Sequence, residues 1–403
     1  MTFARGFRAG TAACGIKAFT TGASAIPRDQ RDDLCVVHSA LPCDTGGVFT
    51  TNKVKSASVV IDQLHLQRNR VQALTINSGN ANACTGAQGF RDALLMAKLS
   101  ADRLDLDPDQ VLVSSTGVIG RYLPMDAIKS GIAAACGNLS ADAGEDAARA
   151  IMTTDTKPKT AHAEVAISGV TVRVGGMCKG SGMIHPNMAT MLAYITTDAA
   201  VEPGLMARLV RPVADHSFNQ VTVDGDSSTN DSFLMLANGA AGNEPIRADS
   251  SESTQLRAAI EGVARQLSRA IARDGEGATR LITVKVLDAT SDHDARTAAR
   301  AVASSSLVKT AVHGGDPNWG RIVCALGYSG AELALDRLHL TVGGLVVFER
   351  GAGVEVDLAA VRRAFEQPEI EIVATLGLGA GNAEAWGCDL SEEYVRINAD
   401  YTT

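Results

Sequence analysis

The stretch Lys179-Gly180-Ser181-Gly182-Met183-Ile184-His185-Pro186-Asn187-Met188-Ala189-Thr190-Met191-Leu192 lies near the middle of a 403-residue chain and holds its most specific chemistry. Its two glycines permit backbone conformations closed to other residues, a proline fixes one turn, and an Ala-Thr bond follows. A threonine hydroxyl is a weak nucleophile without a base beside it, and one available base is the threonine's own α-amine. That amine exists only once the preceding bond is cut. The segment therefore suggests self-cleavage at Ala189-Thr190, by attack of the Thr190 hydroxyl on the Ala189 carbonyl and hydrolysis of the resulting ester, with strain in the turn assisting. The products are an N-terminal fragment, 1–189, and a C-terminal fragment, 190–403, that begins with its nucleophile. Read locally, an Ala-Thr dipeptide after a Gly-Ser-Gly turn is ordinary, so the rest of the chain has to decide.

Working outward, the organisation is mixed α/β. Strand-like runs stand at 72–76, 110–113, 170–174, 281–287, 338–342 and 369–375, several alternating apolar and polar residues as in Ile282-Thr283-Val284-Lys285-Val286. The clearest helix is 254–273, where Leu256, Ile260, Val263, Leu267 and Ile271 form one apolar face. Further helices are expected at 92–104, 124–136, 202–215 and 293–303. Strands and helices come in mixed order, which argues against a barrel or a dinucleotide-binding sheet. Hydrophobic residues make up 45% and charged residues 20%, an ordinary globular balance, so disorder is excluded. A net charge of −8 argues against nucleic acid or an anionic membrane as partner. No apolar run reaches the length of a membrane span, and Met1 to Lys17 has no apolar core of signal-peptide length. A cytoplasmic protein is expected. The eight cysteines are scattered without a C-x-x-C pair or zinc spacing and read as reduced thiols; Cys178, lacking a local histidine base, is read as structural rather than nucleophilic.

Three other motifs tempt and are set aside. Gly377-Leu378-Gly379-Ala380-Gly381 follows a strand but lies too near the end of the chain for a βαβ nucleotide unit, and reads as a turn. The acidic run Asp224 to Asp231 has Thr229 where a calcium loop needs glycine and Met235 where it needs glutamate, and reads as a polar turn, near the site. His185 reads as a structural, hydrogen-bonded histidine.

Seven separated motifs then carry a resemblance: KGSGMIHPNMATML at Lys179, NSGNANACTG from Asn77, SSTGVIGR from Ser114, IMTTDTKPK from Ile151, DGEGATR from Asp274, VHGGDPNWGR from Val312, and the final GCDLSEEYVRINADYTT. In their order along the chain, and over essentially its whole length, they resemble the ornithine acetyltransferases, or bifunctional glutamate N-acetyltransferases, of the ArgJ family. The resemblance implies an α-β-β-α sandwich and cleavage at Ala189-Thr190. It implies an acetyltransferase of the cyclic arginine pathway that moves acetyl from N2-acetyl-L-ornithine to L-glutamate through an acetyl-Thr190 intermediate. No metal or organic cofactor is expected, acetyl-CoA is a candidate co-substrate, and the implied assembly is a heterotetramer of two copies of each fragment. A self-processing aminopeptidase of similar fold, with water replacing glutamate, stays open as an alternative.

The same resemblance assigns residues. Thr190 is nucleophile and, through its freed amine, base; an α-amine has a reference pKa of about 7.7–8.0, leaving a useful neutral fraction near physiological pH. Thr116 and Gly117 are the oxyanion donors. Substrate-binding positions fall on Thr153, Lys179, Thr190, Glu276, Asn398 and Thr403, with Thr154 and Thr156 standing beside Thr153 as competitors. Lys179 suits an α-carboxylate, and Glu276 suits the ornithine ammonium.

Overall fold

A computed structural model describes residues 1–19, 31–68, 70–185 and 191–400. Its first sheet contains β1 (Phe7–Ala12), β2 (Leu34–Phe49), β3 (Val71–Asn80), β4 (Val111–Val118), β5 (Lys159–Ile167), β6 (Val170–Lys179), β7 (Leu192–Thr197) and β8 (Ser232–Ala237). The order is β4-β3-β2-β8-β7-β6-β5, with β1 also paired to β2. The β3/β4 and β7/β8 pairs are parallel and the others antiparallel. Around these strands lie α1 (Ala57–His65), α2 (Gly86–Leu104), α3 (Met125–Gly137), α4 (Gly144–Ala150), α5 (Leu205–Asp215) and α6 (Ser251–Arg273).

The two-residue period of the strands explains how one sheet becomes two layers. Leu34, Val36, Ala73, Val111 and Val113 pack in one core with Ile61 of α1, Met96 of α2 and Ile132 of α3. The intervening Cys35, Val37, Leu74, Ile76 and Leu112 join Met177, Tyr194, Leu234 and Leu236 in a second core, so the two halves of the sheet pack face to face. Val174, Ala193, Ile195, Phe233 and Met235 turn the other way, against Val213 of α5 and Ile260, Val263 and Leu267 of α6. The hinge between the halves is β2, whose first part pairs with β1 and β3 and whose last part pairs with β8, with an irregularity between His38 and Cys43. The result is the expected α-β-β-α sandwich. The exposed edge of β4 is closed by α1: Asp62 Oδ1 accepts the Val113 N–H at 2.7 Å, and His65 Nδ1–H donates to the Val111 carbonyl at 2.8 Å.

A second sheet contains β9 (Leu281–Ala289), β10 (His339–Val342), β11 (Leu345–Glu349), β12 (Ala352–Gly353), β13 (Glu369–Thr375) and β14 (Gly381–Cys388), in the order β12-β11-β10-β13-β9-β14. It has its own core with α7 (Asp292–Ser304), α8 (Ser306–Gly314), α9 (Trp319–Gly327) and α10 (Leu358–Phe365). Leu281, Trp386 and Cys388 join it to the α6 side of the sandwich. A last helix, α11 (Glu392–Asp400), buries none of its side chains.

The expected strands appear as β3, β4, β6, β9, β10 and β13, and the expected helices as α2, α3, α5, α6 and α7. All five residues of the expected α6 face are at most 1% exposed. Two strands are longer than their apolar runs: β3 continues through Asn77-Ser78-Gly79-Asn80, and β4 through Ser114-Ser115-Thr116-Gly117. Among the described residues no helix is long and apolar enough to cross a membrane.

Candidate active site

The polar ends of β3 and β4 open the site. Their parallel register sets Ser78 beside Thr116 and Gly79 beside Gly117, which brings two of the sequence motifs to one end of the sandwich. Gly117 has φ +131°, and a Cβ there would lie 2.3 Å from the Gly79 carbonyl carbon and 2.5 Å from the Asn80 nitrogen, so no side chain fits. Lys179 ends β6 from the opposite layer. It is 5% exposed, and its Nζ donates to Thr116 Oγ1 at 3.4 Å. Burial pulls the Lys179 ammonium below its ordinary pKa; Asp155, Glu276 and Asp231 oppose that pull and Lys159 adds to it.

Lys179 is the register partner of Leu192, so the intervening loop joins two hydrogen-bonded neighbours, β6 and β7. Ala189 and Thr190, and likewise Thr403, lie outside the described residues. The described part of the loop is held from two sides. Ser181 O accepts the Glu276 N–H at 2.8 Å, and a Cβ on Gly182 would meet the Glu276 carboxylate at 2.3 Å, so that glycine makes room for the acid. Asp224 accepts the N–H groups of Met183 at 2.5 Å and Ile184 at 2.8 Å, and its burial raises its pKa. Met183 adopts φ +56° there.

Glu276 is 8% exposed and receives Asn398 Nδ2–H at 2.8 Å, which brings α11 over it. Tyr394 on the same helix donates to Asp224 Oδ2 at 3.3 Å. Of the three competing threonines, Thr153 and Thr154 line the cavity, whereas Thr156 is bound to Asp274 through both its backbone N–H and its hydroxyl. Thr154 Oγ1 is itself 2.6 Å from Ser181 Oγ.

Thr116, Gly117, Thr153, Lys179, Glu276 and Asn398 thus line one cavity. Asp224, Asp226 and Asn230 of the acidic run line it too, as a polar turn beside the site. Asn230 Nδ2–H groups donate to Ala81 O at 2.6 Å and Ser115 O at 2.7 Å, tying the turn to the β3 and β4 ends. Sequence reasoning gave no role to Asp155, Asp224 or Tyr394. Asp155 and Tyr394 stood inside quoted motifs, but a single acid or phenol in a polar run carries no spacing signal.

His185 is structural in character: Nδ1–H donates to Thr222 Oγ1 at 3.1 Å, and Nε2 accepts from Arg300 at 3.1 Å. Burial and Arg300 push its pKa down to about 4, which leaves it neutral. Cys178 is fully buried, and burial pushes its thiol up to about 12, so it is a core residue rather than a nucleophile. Among the described residues no three His, Cys, Asp or Glu side chains cluster as metal ligands.

A two-layered sandwich whose end opens on a buried ammonium and a buried carboxylate is a setting for small zwitterions. The chain belongs to the ArgJ family, whose profile matches residues 9–403. It is 51% identical to the arginine biosynthesis bifunctional protein ArgJ of Symbiobacterium thermophilum over 93% of each chain. It is 46% identical to the protein of that name from Dehalococcoides mccartyi, covering 100% of this chain and 97% of the other. The crystal structure of the arginine biosynthesis bifunctional protein argJ from Bacillus halodurans is 38% identical, with a TM-score of 0.51 over 53% of this chain and 100% of the other.

Proposed function

We propose that the protein is an acetyltransferase of arginine biosynthesis that cleaves itself at Ala189-Thr190 and then moves acetyl from N2-acetyl-L-ornithine to L-glutamate. The observation that carries the reading is the convergence of Thr116, Gly117, Lys179, Glu276 and Asn398 on one cavity, from elements far apart in sequence. The freed Thr190 amine takes the proton from Thr190 Oγ as that oxygen attacks the acetyl carbonyl. The oxyanion accepts the Thr116 hydroxyl and the Gly117 N–H. Because Thr116 Oγ1 already accepts from Lys179, its own proton is left to point elsewhere, which suits donation to the oxyanion. Collapse of the tetrahedral intermediate passes the proton to the departing ornithine α-amine and leaves acetyl on Thr190. Glutamate then attacks that ester, and Thr190 Oγ recovers its proton. In this reading Lys179 pairs with the substrate carboxylate and Glu276, steadied by Asn398, with the ornithine ammonium.

The word bifunctional in the relatives' names favours a second donor, and acetyl-CoA is our choice for it. The active form is read as a heterotetramer of two 1–189 and two 190–403 fragments, working in the reducing cytoplasm that eight free thiols suit. The test runs on purified protein. Denaturing electrophoresis should give two bands, the second sequencing as Thr-Met-Leu-Ala, and Thr190→Ala should give one. Acetylornithine plus glutamate should yield acetylglutamate, and acetyl-CoA plus glutamate should do so as well. An active single band would sink the N-terminal nucleophile. Free acetate and ornithine without acetylglutamate would favour the self-processing hydrolase.

A further inference from the structure

We propose that Lys159 is a positioning residue that fixes Lys179 and Glu276 relative to one another and so sets which zwitterion fits between them. The inference rests on the acetyl-transfer reading above. Lys159 opens β5 with its side chain 2% exposed, and its Nζ donates to Asp155 Oδ1 at 2.6 Å and to Asp274 Oδ2 at 2.5 Å. Each carboxylate serves one side of the cavity. Asp155 Oδ1 also accepts the Gly180 N–H at 2.8 Å, directly after Lys179, and its Oδ2 accepts the Thr153 N–H at 3.1 Å. Asp274 follows the last turn of α6, two residues before Glu276, and accepts the N–H groups of Thr156 at 3.0 Å and Lys157 at 3.4 Å. Lys159 is not among the residues that line the cavity. Its ion-pair contacts toward the two recognition side chains run through the aspartates.

Three buried charged side chains, Asp155, Lys159 and Lys179, stand together here with the partly buried Asp274. Such a cluster is costly to desolvate and contributes little net stability compared with apolar packing of the same volume. Its geometry is specific instead: a single ammonium spans two loops and leaves each with few ways to shift. Electrostatics give a second handle. The groups facing Lys179 are Asp155, Glu276 and Asp231, which hold its proton, and Lys159, which repels it. Burial opposes ionisation of Asp155, yet Lys159 and Lys179 outweigh it and keep that carboxyl below the usual carboxylate range.

Purified Lys159→Met, Lys159→Arg, Asp155→Asn and Asp274→Asn proteins would first be scored for cleavage and Tm. KM and kcat would then be measured across pH for N2-acetyl-L-ornithine and for N2-acetyl-L-lysine, one methylene longer. Lys159→Met and Asp274→Asn should raise KM for acetylornithine about tenfold with kcat within about threefold, and should narrow the ornithine-over-lysine preference about tenfold. The alkaline limb of kcat/KM should move down in Asp155→Asn, where a charge that holds the Lys179 proton is lost. It should move up in Lys159→Met, where a repelling charge is lost. Lys159→Arg, which keeps the charge, should recover most of the KM. Folded and cleaved variants that keep KM, preference and the alkaline limb within about twofold of wild type would overturn the clamp while leaving the acetyltransferase intact. Should Lys159→Met fail to fold, the KM and preference of Asp274→Asn decide. A wild type that transfers no acetyl overturns the functional reading and the clamp together.

Discussion

Thr116 is 9% exposed and touches Lys179, so its hydroxyl has a defined neighbour before any substrate arrives. In the proposed mechanism Thr116→Ala removes one oxyanion donor, a loss that typically costs about 10²–10³ in kcat. The backbone there is ordinary for alanine, so Tm should stay near wild type. Steady-state kcat beside a melting curve checks this, and a normal kcat would take Thr116 out of the mechanism. Glu276 tests recognition separately from chemistry. Glu276→Gln keeps the shape but removes a charge-assisted hydrogen bond worth roughly 1.5–3 kcal/mol, so kcat/KM for acetylornithine should fall about ten- to a hundredfold. Self-cleavage involves no substrate ammonium and should proceed. If the variant stays uncleaved on a denaturing gel, Glu276 belongs to processing instead, which its contact with Gly182 in the cleavage loop would make intelligible.

At the scale of the element, α1 shows how a strand edge is closed and what that closure costs. Asp62 is fully buried, and burial raises its carboxyl well above the usual range. The unfolded chain loses that proton near pH 3.9, so from there up to the raised folded value each pH unit removes up to about 1.4 kcal/mol of stability. Asp62→Asn keeps an acceptor for the Val113 N–H and does not titrate. The stability of the variant relative to wild type should therefore grow between pH 5 and pH 8, as read from urea midpoints; a constant difference would show that Asp62 is already ionised in the fold. The same scale shows what could be read in advance. Alternation and helical spacing sufficed for β9, β13 and α6, because their pattern is set by burial against one core. The ends of β3 and β4 escaped, because Asn77-Ser78-Gly79-Asn80 and Ser114-Ser115-Thr116 are polar yet buried, held by the ladder and by Asn230 rather than by apolar packing. β2 escaped because Pro42, Gly46 and Gly47 interrupt it; a Cβ on Gly46 would meet Met206 O at 2.2 Å. α11 has no buried face to announce it. The candidate site residues were readable only as a family resemblance, since Thr116, Lys179, Glu276 and Asn398 share no spacing and meet only through the sheet order.

For the molecule as a whole, the order β2-β8-β7-β6 is the decisive fact. In this sheet the two strands that follow the Ala189-Thr190 bond, β7 and β8, stand between strands that precede it. Residues 191–400 therefore fill the middle of a sheet whose flanks come from residues before 186, through the β2/β8 and β6/β7 ladders and the shared core of Met177, Tyr194 and Leu234. Cleaved protein should accordingly migrate as one species on size exclusion and part only in denaturant. A 1–189 chain produced alone should be insoluble or unfolded, since its sheet would fall into two unconnected pieces with unpaired edges. A soluble, cooperatively melting 1–189 chain would contradict this.

That interleaving also means the peptide bond at the junction carries little of the assembly, and genetics could dispense with it. Two separate genes, one ending at Ala189 and one starting with a methionine ahead of Thr190, would make pieces that recognise each other by strand pairing during translation. A start methionine before a small residue is routinely trimmed by cellular aminopeptidases. The freed threonine would then arrive ready-made, and an acetyl-transferring pair made this way would need no step equivalent to the proposed self-cleavage.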